Sequence, residues 1–258
     1  MEVQLIDHMG DDSSIVQAAR VSYGKGTKTV SEDTNLIRYL MRNWHTTPFE
    51  MVEFKFRIKI PMFVARQWLR HRTASVNEVS ARYSEVKNEY WVPTEYRSQS
   101  STNKQGSCDV IHDITSHPQE HSSEIAFDVY DGLLSKGVSR ELARVHLPQS
   151  TFTEFYWKIN LHNLFHFLHL RMDDHAQQEI REPAQMVFEH IKKIVPIACQ
   201  AFLDYRVQSI TLSGPEIHAI KTGDLSKLSS REKNEMIHKC QLLGLTASTI
   251  DVVANTSS

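Results

Sequence analysis

The sequence predicts a mixed α/β (α+β) subunit in which a small sheet packs with long helices. Val52, Phe54, Phe56, Ile58 and Ile60 alternate without a fault with Glu53, Lys55, Arg57 and Lys59, the period-two signature of a half-buried strand. Thr151 to Ile159 alternates in the same way and reads as a second strand. Much of the remaining chain places apolar residues at helical spacing. With 258 residues, 40% of them hydrophobic and 23% charged, the chain is long enough to bury a core without metals or disulfide staples.

Taken in order, Ser13 to Tyr23 and Ser31 to Trp44 read as amphipathic helices, on Ile15, Ala18 and Ala19 and on Leu36, Ile37, Leu40 and Met41. After the first strand, Pro61 suits the first turn of a helix from about Met62 to His71, where its missing N–H costs nothing. Arg97 to Ser123 is rich in Ser, Thr, Asn, Gln and His and reads as a mobile surface excursion. Helices follow at Ser123 to Lys136, stopped by Gly137, and at Ser139 to His146, stopped by Pro148. Beyond the second strand, Leu161 to Met172 is helical. A helix from about His175 to Val195 then presents Ile180, Ala184, Val187, Phe188 and Ile191 on one side, with a kink expected at Pro183. Ser229-Ser230-Arg231-Glu232 resembles a capping box opening a last helix that closes at Gly244. The tail after Ser248 is expected to fray.

Lys and Arg total 29 against 31 Asp and Glu, a formal charge of −2, so any attraction for an anion must be local rather than a property of the whole chain. The apolar stretches fall short of a spanning helix, and Met1-Glu2-Val3-Gln4 carries an acid where a signal peptide carries positive charge. A cytoplasmic protein with no nucleic-acid and no membrane partner is the expectation. Cys108, Cys199 and Cys240 are widely spaced and form no CxxC pair, which argues against a zinc ribbon or a thiol redox motif.

Chemistry concentrates between Arg66 and Tyr83. Arg66, Arg70, Arg72 and Arg82 fall within seventeen residues, and Arg66 and Arg70 stand one helical turn apart, where like charges repel. Arginine forks match phosphate or carboxylate bidentately, so a phosphate-bearing ligand is one reading. An ion-paired network with Glu50, Glu53, Glu78 and Glu85 is the other, and spacing does not separate them. Trp68 and Tyr83 could stack bases, but the cluster is short and the chain has no basic excess. No Gly-rich phosphate loop is present. His162, His166 and His169 share one helical face and could hold a metal, although no Glu sits between the first two as HExxH chemistry requires. Arg171 emerges from an apolar helix and needs either a substrate or a partner such as Asp173.

Arg70-His71-Arg72-Thr73-Ala74-Ser75-Val76-Asn77-Glu78-Val79-Ser80 resembles the signature RHRxxSxNExS of the flavin-dependent thymidylate synthases (ThyX family), meeting all seven specified positions in eleven. Arg20-Val21-Ser22, His45-x-x-Pro48-Phe49-Glu50 and Arg171-x-Asp173-x-His175-Ala176-Gln177-x-Glu179-Ile180 occur in the family order, and the match covers about residues 10 to 205. The resemblance implies a single catalytic domain over 1–258, with the polar excursion at about 97–123 and an extension after about 205. It implies reductive methylation of dUMP to dTMP, with 5,10-methylenetetrahydrofolate as carbon donor, FAD as redox carrier and NADPH as reductant. It also implies a homotetramer with active sites shared between subunits.

Carried over by position, Arg70, His71, Arg72 and Glu78, with Ser22, His45 and Thr47, resemble the family's flavin contacts. Asn160, His162, His166 and His175 fall where the family holds FAD from another subunit. Gln67, Arg70, Glu78, Ser80, Ala81, Arg82, Arg144 and Arg171 resemble the dUMP site, and Arg171, Ser80 and His45 form the implied catalytic set. Within it Arg171 polarises the pyrimidine by stabilising charge on its N3–C4–O4 edge, and Ser80 positions. No cysteine matches a site position, as expected of a family that does without a cysteine nucleophile, and no metal is implied. The chain departs from the family pattern at His162 and His166, where Arg and Asn are usual, and at Met51, where His is common.

Overall fold

The computed structural model describes residues 1–21, 30–101, 104, 106–114 and 117–245. Its centre is a four-stranded antiparallel sheet of order β1-β2-β6-β3, built from β1 (Glu2–Met9), β2 (Glu53–Pro61), β3 (Ser75–Glu78) and β6 (Phe152–Asn160). The alternation that predicts β2 is realised in full: Phe54, Phe56, Ile58 and Ile60 are completely buried. The opposite face is not merely wet, since every charge on it is paired. Glu53 meets Lys158, Lys55 meets Asp7, Arg57 meets Glu154 and Lys59 meets Glu89.

Before the second strand the chain forms α1 (Asp12–Ala19), α2 (Val30–Arg42) and the single turn α3 (Thr47–Glu50). Gly10 joins β1 to α1 at φ +82, a conformation that disfavours a side chain, and a Cβ there would lie 2.9 Å from the Ser14 hydroxyl.

Two strand ends launch helices directly. Pro61 caps α4 (Met62–Trp68), whose first free N–H groups, on Met62 and Phe63, donate to the carbonyls of Thr151 and Gln149. At the opposite end of the sheet Asn160 closes β6 and caps α7 (Leu161–Arg171), its side chain accepting from Asn163 N at 2.9 Å. Because β2 and β6 are antiparallel, α4 and α7 start at opposite ends and run toward each other. Their lengths, about 10 and 16 Å at 1.5 Å per residue, together nearly match a nine-residue strand of about 30 Å. Their C-terminal ends therefore meet, and an aromatic cluster welds the meeting point: Trp68 lies 4.4 Å from Phe167 and 5.1 Å from Trp157, centroid to centroid.

Around this frame run α5 (Pro118–Ser135), the turns α6 (Arg140–Ala143) and Arg144–His146, α8 (Gln178–Lys192), α9 (Pro196–Phe202) and a π-helical turn at Leu203–Val207. The stripe Ile180, Ala184, Val187, Phe188 and Ile191 of α8 is buried as its spacing predicts, and the helix runs on through Pro183. Asp12 accepts from Ile197 N and Ala198 N, tying the start of α9 to α1.

Three local expectations are corrected. The polar excursion is not structureless: it contains the antiparallel pair β4 (Tyr96–Gln99) and β5 (Ser107–Ile111), and α5 begins within it at Pro118. The helix expected from about His175 starts at Gln178, because the Asp173 carboxylate captures His175 N and forms a turn first. The helix after Pro61 ends at Trp68, since the signature leaves it for β3.

The chain separates into two compact units, Met1–Val207 and Gln208–Ser258. In the second, α10 (Gly214–Thr222) and α11 (Ser230–Leu242) each open with a capping box, Ser213 with Glu216 and Ser229 with Glu232, the latter as the sequence predicts. Ala219, Leu225, Leu228, Met236 and Cys240 form its core. The tail expected to fray after Ser248 lies outside the described residues. No helix among the described residues is long and apolar enough to cross a membrane.

Candidate active site

Where α4 and α7 converge, Arg171 Nε donates to His71 Nε2 at 3.0 Å and Arg171 Nη2 to the Gln67 carbonyl at 3.3 Å. Its remaining nitrogen, Nη1, has no protein partner among the described residues. Asp173, the alternative partner for Arg171, instead accepts from His175 N and contacts the His175 ring, both at 2.8 Å. Burial, and then the charge of Arg70, lowers the Arg171 pKa, which marks a cation held without a counterion.

His71 is suited to accept that bond. Burial, then Arg171 and His166, pushes its pKa down to about 4, so the ring is neutral at physiological pH. With Nε2 accepting, its proton sits on Nδ1. The ring is braced edge-on against Phe167 at 4.9 Å and faces His166 at 5.8 Å. Gln67 Nε2 donates to Gln177 Oε1 at 2.5 Å, linking α4 to the segment just before α8.

The arginine cluster does not form an ion-paired network with those four carboxylates. Arg66, Arg70 and Arg72 are exposed, and among the described residues none has a carboxylate within 4 Å. Three of the four candidate partners are engaged elsewhere: Glu53 with Lys158, Glu85 with Arg140, and Glu78 accepting from Thr153 Oγ1 at 2.5 Å. Arg82 pairs with Glu141, which the sequence does not suggest. Exposed, uncompensated guanidinium groups at this density are what an anionic ligand would use.

Strand β3 carries the second half of the signature past β6, with Glu78 opposite Phe155. There Glu78, Ala81 and Arg144 line a cavity of about 780 Å³, together with Arg57, Thr153 and Glu154. Ser80 begins the turn that follows, its hydroxyl accepting from Arg82 N at 3.3 Å.

The structure thus gathers the predicted residues into two groups within one chain. Gln67, Arg70, His71, His166 and Arg171 lie around the α4 and α7 ends, while Glu78, Ala81 and Arg144 share the cavity. His45 and Thr47 belong to neither; both are exposed, beyond the end of α2, with the His45 ring tilted against Tyr39 at 5.7 Å. Arg72 points to solvent, Asn160 serves as a helix cap and His162 is half-buried on α7. Ser22 lies outside the described residues. Among the described residues no three His, Cys, Asp or Glu side chains converge as a metal site, so His162, His166 and His169 do not make one. Cys199 and Cys240 are buried, which pushes both thiols up, and Cys108 sits on β5 beside Ser98. Gln177 stands in the motif without a role that sequence alone supplies; only the fold shows it reaching Gln67.

A mixed α/β subunit with a half-buried guanidinium and exposed arginines that have no carboxylate partner among the described residues is suited to an anionic ligand. Residues 4–197 match the family model described as Thy1, thymidylate synthase complementing protein. The flavin-dependent thymidylate synthase of Dictyostelium discoideum is 53% identical over 240 residues, covering 90% of this chain and 78% of that protein. That of Treponema denticola is 50% identical over 242 residues, covering 91% of each. Among solved structures, a UMP/dUMP methylase, PolB, from Streptomyces cacaoi bound with 5-Br dUMP superposes with a TM-score of 0.74 at 32% identity, over 81% of this chain and 97% of that one. The chain belongs to the flavin-dependent thymidylate synthase family.

Proposed function

We propose that the chain methylates dUMP to dTMP, taking carbon from 5,10-methylenetetrahydrofolate and electrons from NADPH through FAD. The observation that carries this reading is Arg171: two of its nitrogens are fixed by His71 and Gln67, and the third is left for substrate. A guanidinium so aimed stabilises negative charge as it develops on the pyrimidine N3–C4–O4 edge, an oxyanion-type role that grows stronger as water is excluded. Activation is therefore electrostatic, in keeping with two buried cysteines and a third on β5. Arg82 and Arg144 bind the nucleotide phosphate, Gln67 and Ser80 orient the base and sugar, and Glu78 borders the same cavity.

The donor set fits FAD. Arg70 and Arg72 offer uncommitted forks for its diphosphate and His71 a neutral ring, with Ser22, His45, Thr47, Asn160, His162, His166 and His175 as further contacts. When bound, FAD supplies the two-electron carrier between NADPH and the pyrimidine methyl carbon. We assign the catalysis to one polypeptide acting as a homotetramer, each active site combining the two groups of residues from different subunits. Free thiols suit a cytoplasmic enzyme.

The test is spectroscopic. Purified protein is reduced with NADPH under argon, with and without dUMP. A flavin spectrum that bleaches faster with dUMP supports the reading. A protein that is colourless and takes up no added FAD refutes it.

A further inference from the structure

The hairpin of β4 and β5 lies in a segment to which the family resemblance assigns no role, yet one of its side chains is bonded to the first residues of α8, next to the Gln177 that reaches Gln67. Arg97 spends every nitrogen on a named partner: Nε donates to Ser107 Oγ at 3.0 Å within the hairpin, Nη1 to Gln178 Oε1 at 2.5 Å, and Nη2 to Glu179 Oε1 at 2.5 Å. Glu95 lies 3.7 Å away. The Arg97 and Glu179 side chains are only 16% and 7% exposed, so the pair is largely withdrawn from water.

A buried ion pair is a weak source of stability, because desolvation offsets most of its attraction. This one is not even fully satisfied. Glu179 Oε2 and, two residues on, Arg181 Nε are buried without a hydrogen-bond partner among the described residues. Geometry rather than stability is what such an arrangement supplies. Gln178 and Glu179 open α8, and the turn Met172–Gln177 before them connects directly to Arg171. That turn is held at one end by Arg171 on His71 and Gln67, and at the other by Gln177 on Gln67 and Arg97 on Gln178 and Glu179. A continuous set of contacts thus runs from the hairpin to the Arg171 guanidinium.

We propose that Arg97 is a positioning residue: by clamping Gln178 and Glu179 it fixes the Met172–Gln177 turn, and through Gln177 and Gln67 it holds Arg171 in the orientation that receives the nucleotide. The proposal rests on the dUMP reading above. Lysine cannot replace the fork, since one ammonium cannot reach Ser107, Gln178 and Glu179 together. Glu179→Gln keeps the shape and removes the charge.

The experiment measures dUMP affinity by calorimetry, dTMP formation and flavin content on the full-length wild type, Arg97→Lys, Glu179→Gln, Gln67→Ala and the Arg97→Lys/Gln67→Ala double variant. Arg97→Lys is expected to weaken dUMP binding about tenfold with flavin content unchanged, and to cost much less in the Gln67→Ala background, where the relay is already cut. Glu179→Gln moves dUMP affinity in the same direction and reads the clamp if Arg97→Lys does not fold. Unchanged dUMP affinity in flavin-replete variants overturns the proposal, as do effects of Arg97→Lys and Gln67→Ala that simply add. A wild type that binds dUMP without forming dTMP refutes the catalytic reading and leaves the affinity comparison intact. A wild type that binds no dUMP overturns both.

Discussion

In the proposed reaction the chemistry turns on one guanidinium. Arg171 is oriented by a histidine that cannot compete with it for charge, because His71 is neutral down to about pH 4. Arg171→Ala is expected to retain FAD and abolish dTMP formation, and Arg171→Lys should fail to rescue, since a single ammonium cannot serve His71, Gln67 and substrate at once. Flavin absorbance and product assay on the two variants check this; preserved turnover in either contradicts it. His71 also makes a pH prediction. Its folded pKa, about 4, lies below the ordinary value near 6.5. The unfolded chain therefore takes up a proton first as pH falls, so stability is full above about pH 6.5 and declines toward pH 4. Compared with His71→Gln, the wild type should lose ground in thermal denaturation between pH 7 and pH 5; parallel curves would contradict the assignment.

Between elements, the site exists because two helices launched from opposite ends of antiparallel strands meet over the sheet. Trp68 sits at that junction, completely buried against Trp157 and Phe167. Trp68→Ala should cost about 3–5 kcal/mol in chemical denaturation and disorder Arg171 with it. A loss below about 1 kcal/mol would show that the junction tolerates a void. The sequence made much of this legible. Strands β2 and β6 and the stripe on α8 each bury one face, and burial leaves a periodic trace. By contrast β1 faces the core through little more than Val3 and Leu5, and β3 is four exposed residues held by β6, so neither carries a pattern to read. The signature from Arg70 to Ser80 pointed to the family locally, and the family model and relatives bear that out. The bonds from Arg97 to Gln178 and Glu179 span some eighty residues and leave no mark on either segment.

At the scale of the whole molecule, the proposed sharing of sites between subunits would account both for Arg66, Arg70 and Arg72, which have no carboxylate partner among the described residues, and for the absence of Arg171 from the lining of the cavity that holds Arg144. If each active site takes Arg171 from one subunit and Arg144 from another, Arg171→Ala and Arg144→Ala proteins, each inactive, should complement when reassembled together. Random assortment in a symmetric oligomer would leave about a quarter of the sites intact. Activity approaching that fraction supports the shared site, and mixtures as inactive as the parents contradict it.

The central claim, flavin-dependent methylation of dUMP, is tested most directly by following dTMP formation in the complete mixture of protein, FAD, dUMP, 5,10-methylenetetrahydrofolate and NADPH, and with each component left out in turn. The account predicts dTMP only when all are present. No dTMP from the complete mixture, or dTMP formed undiminished without flavin and NADPH, would contradict it.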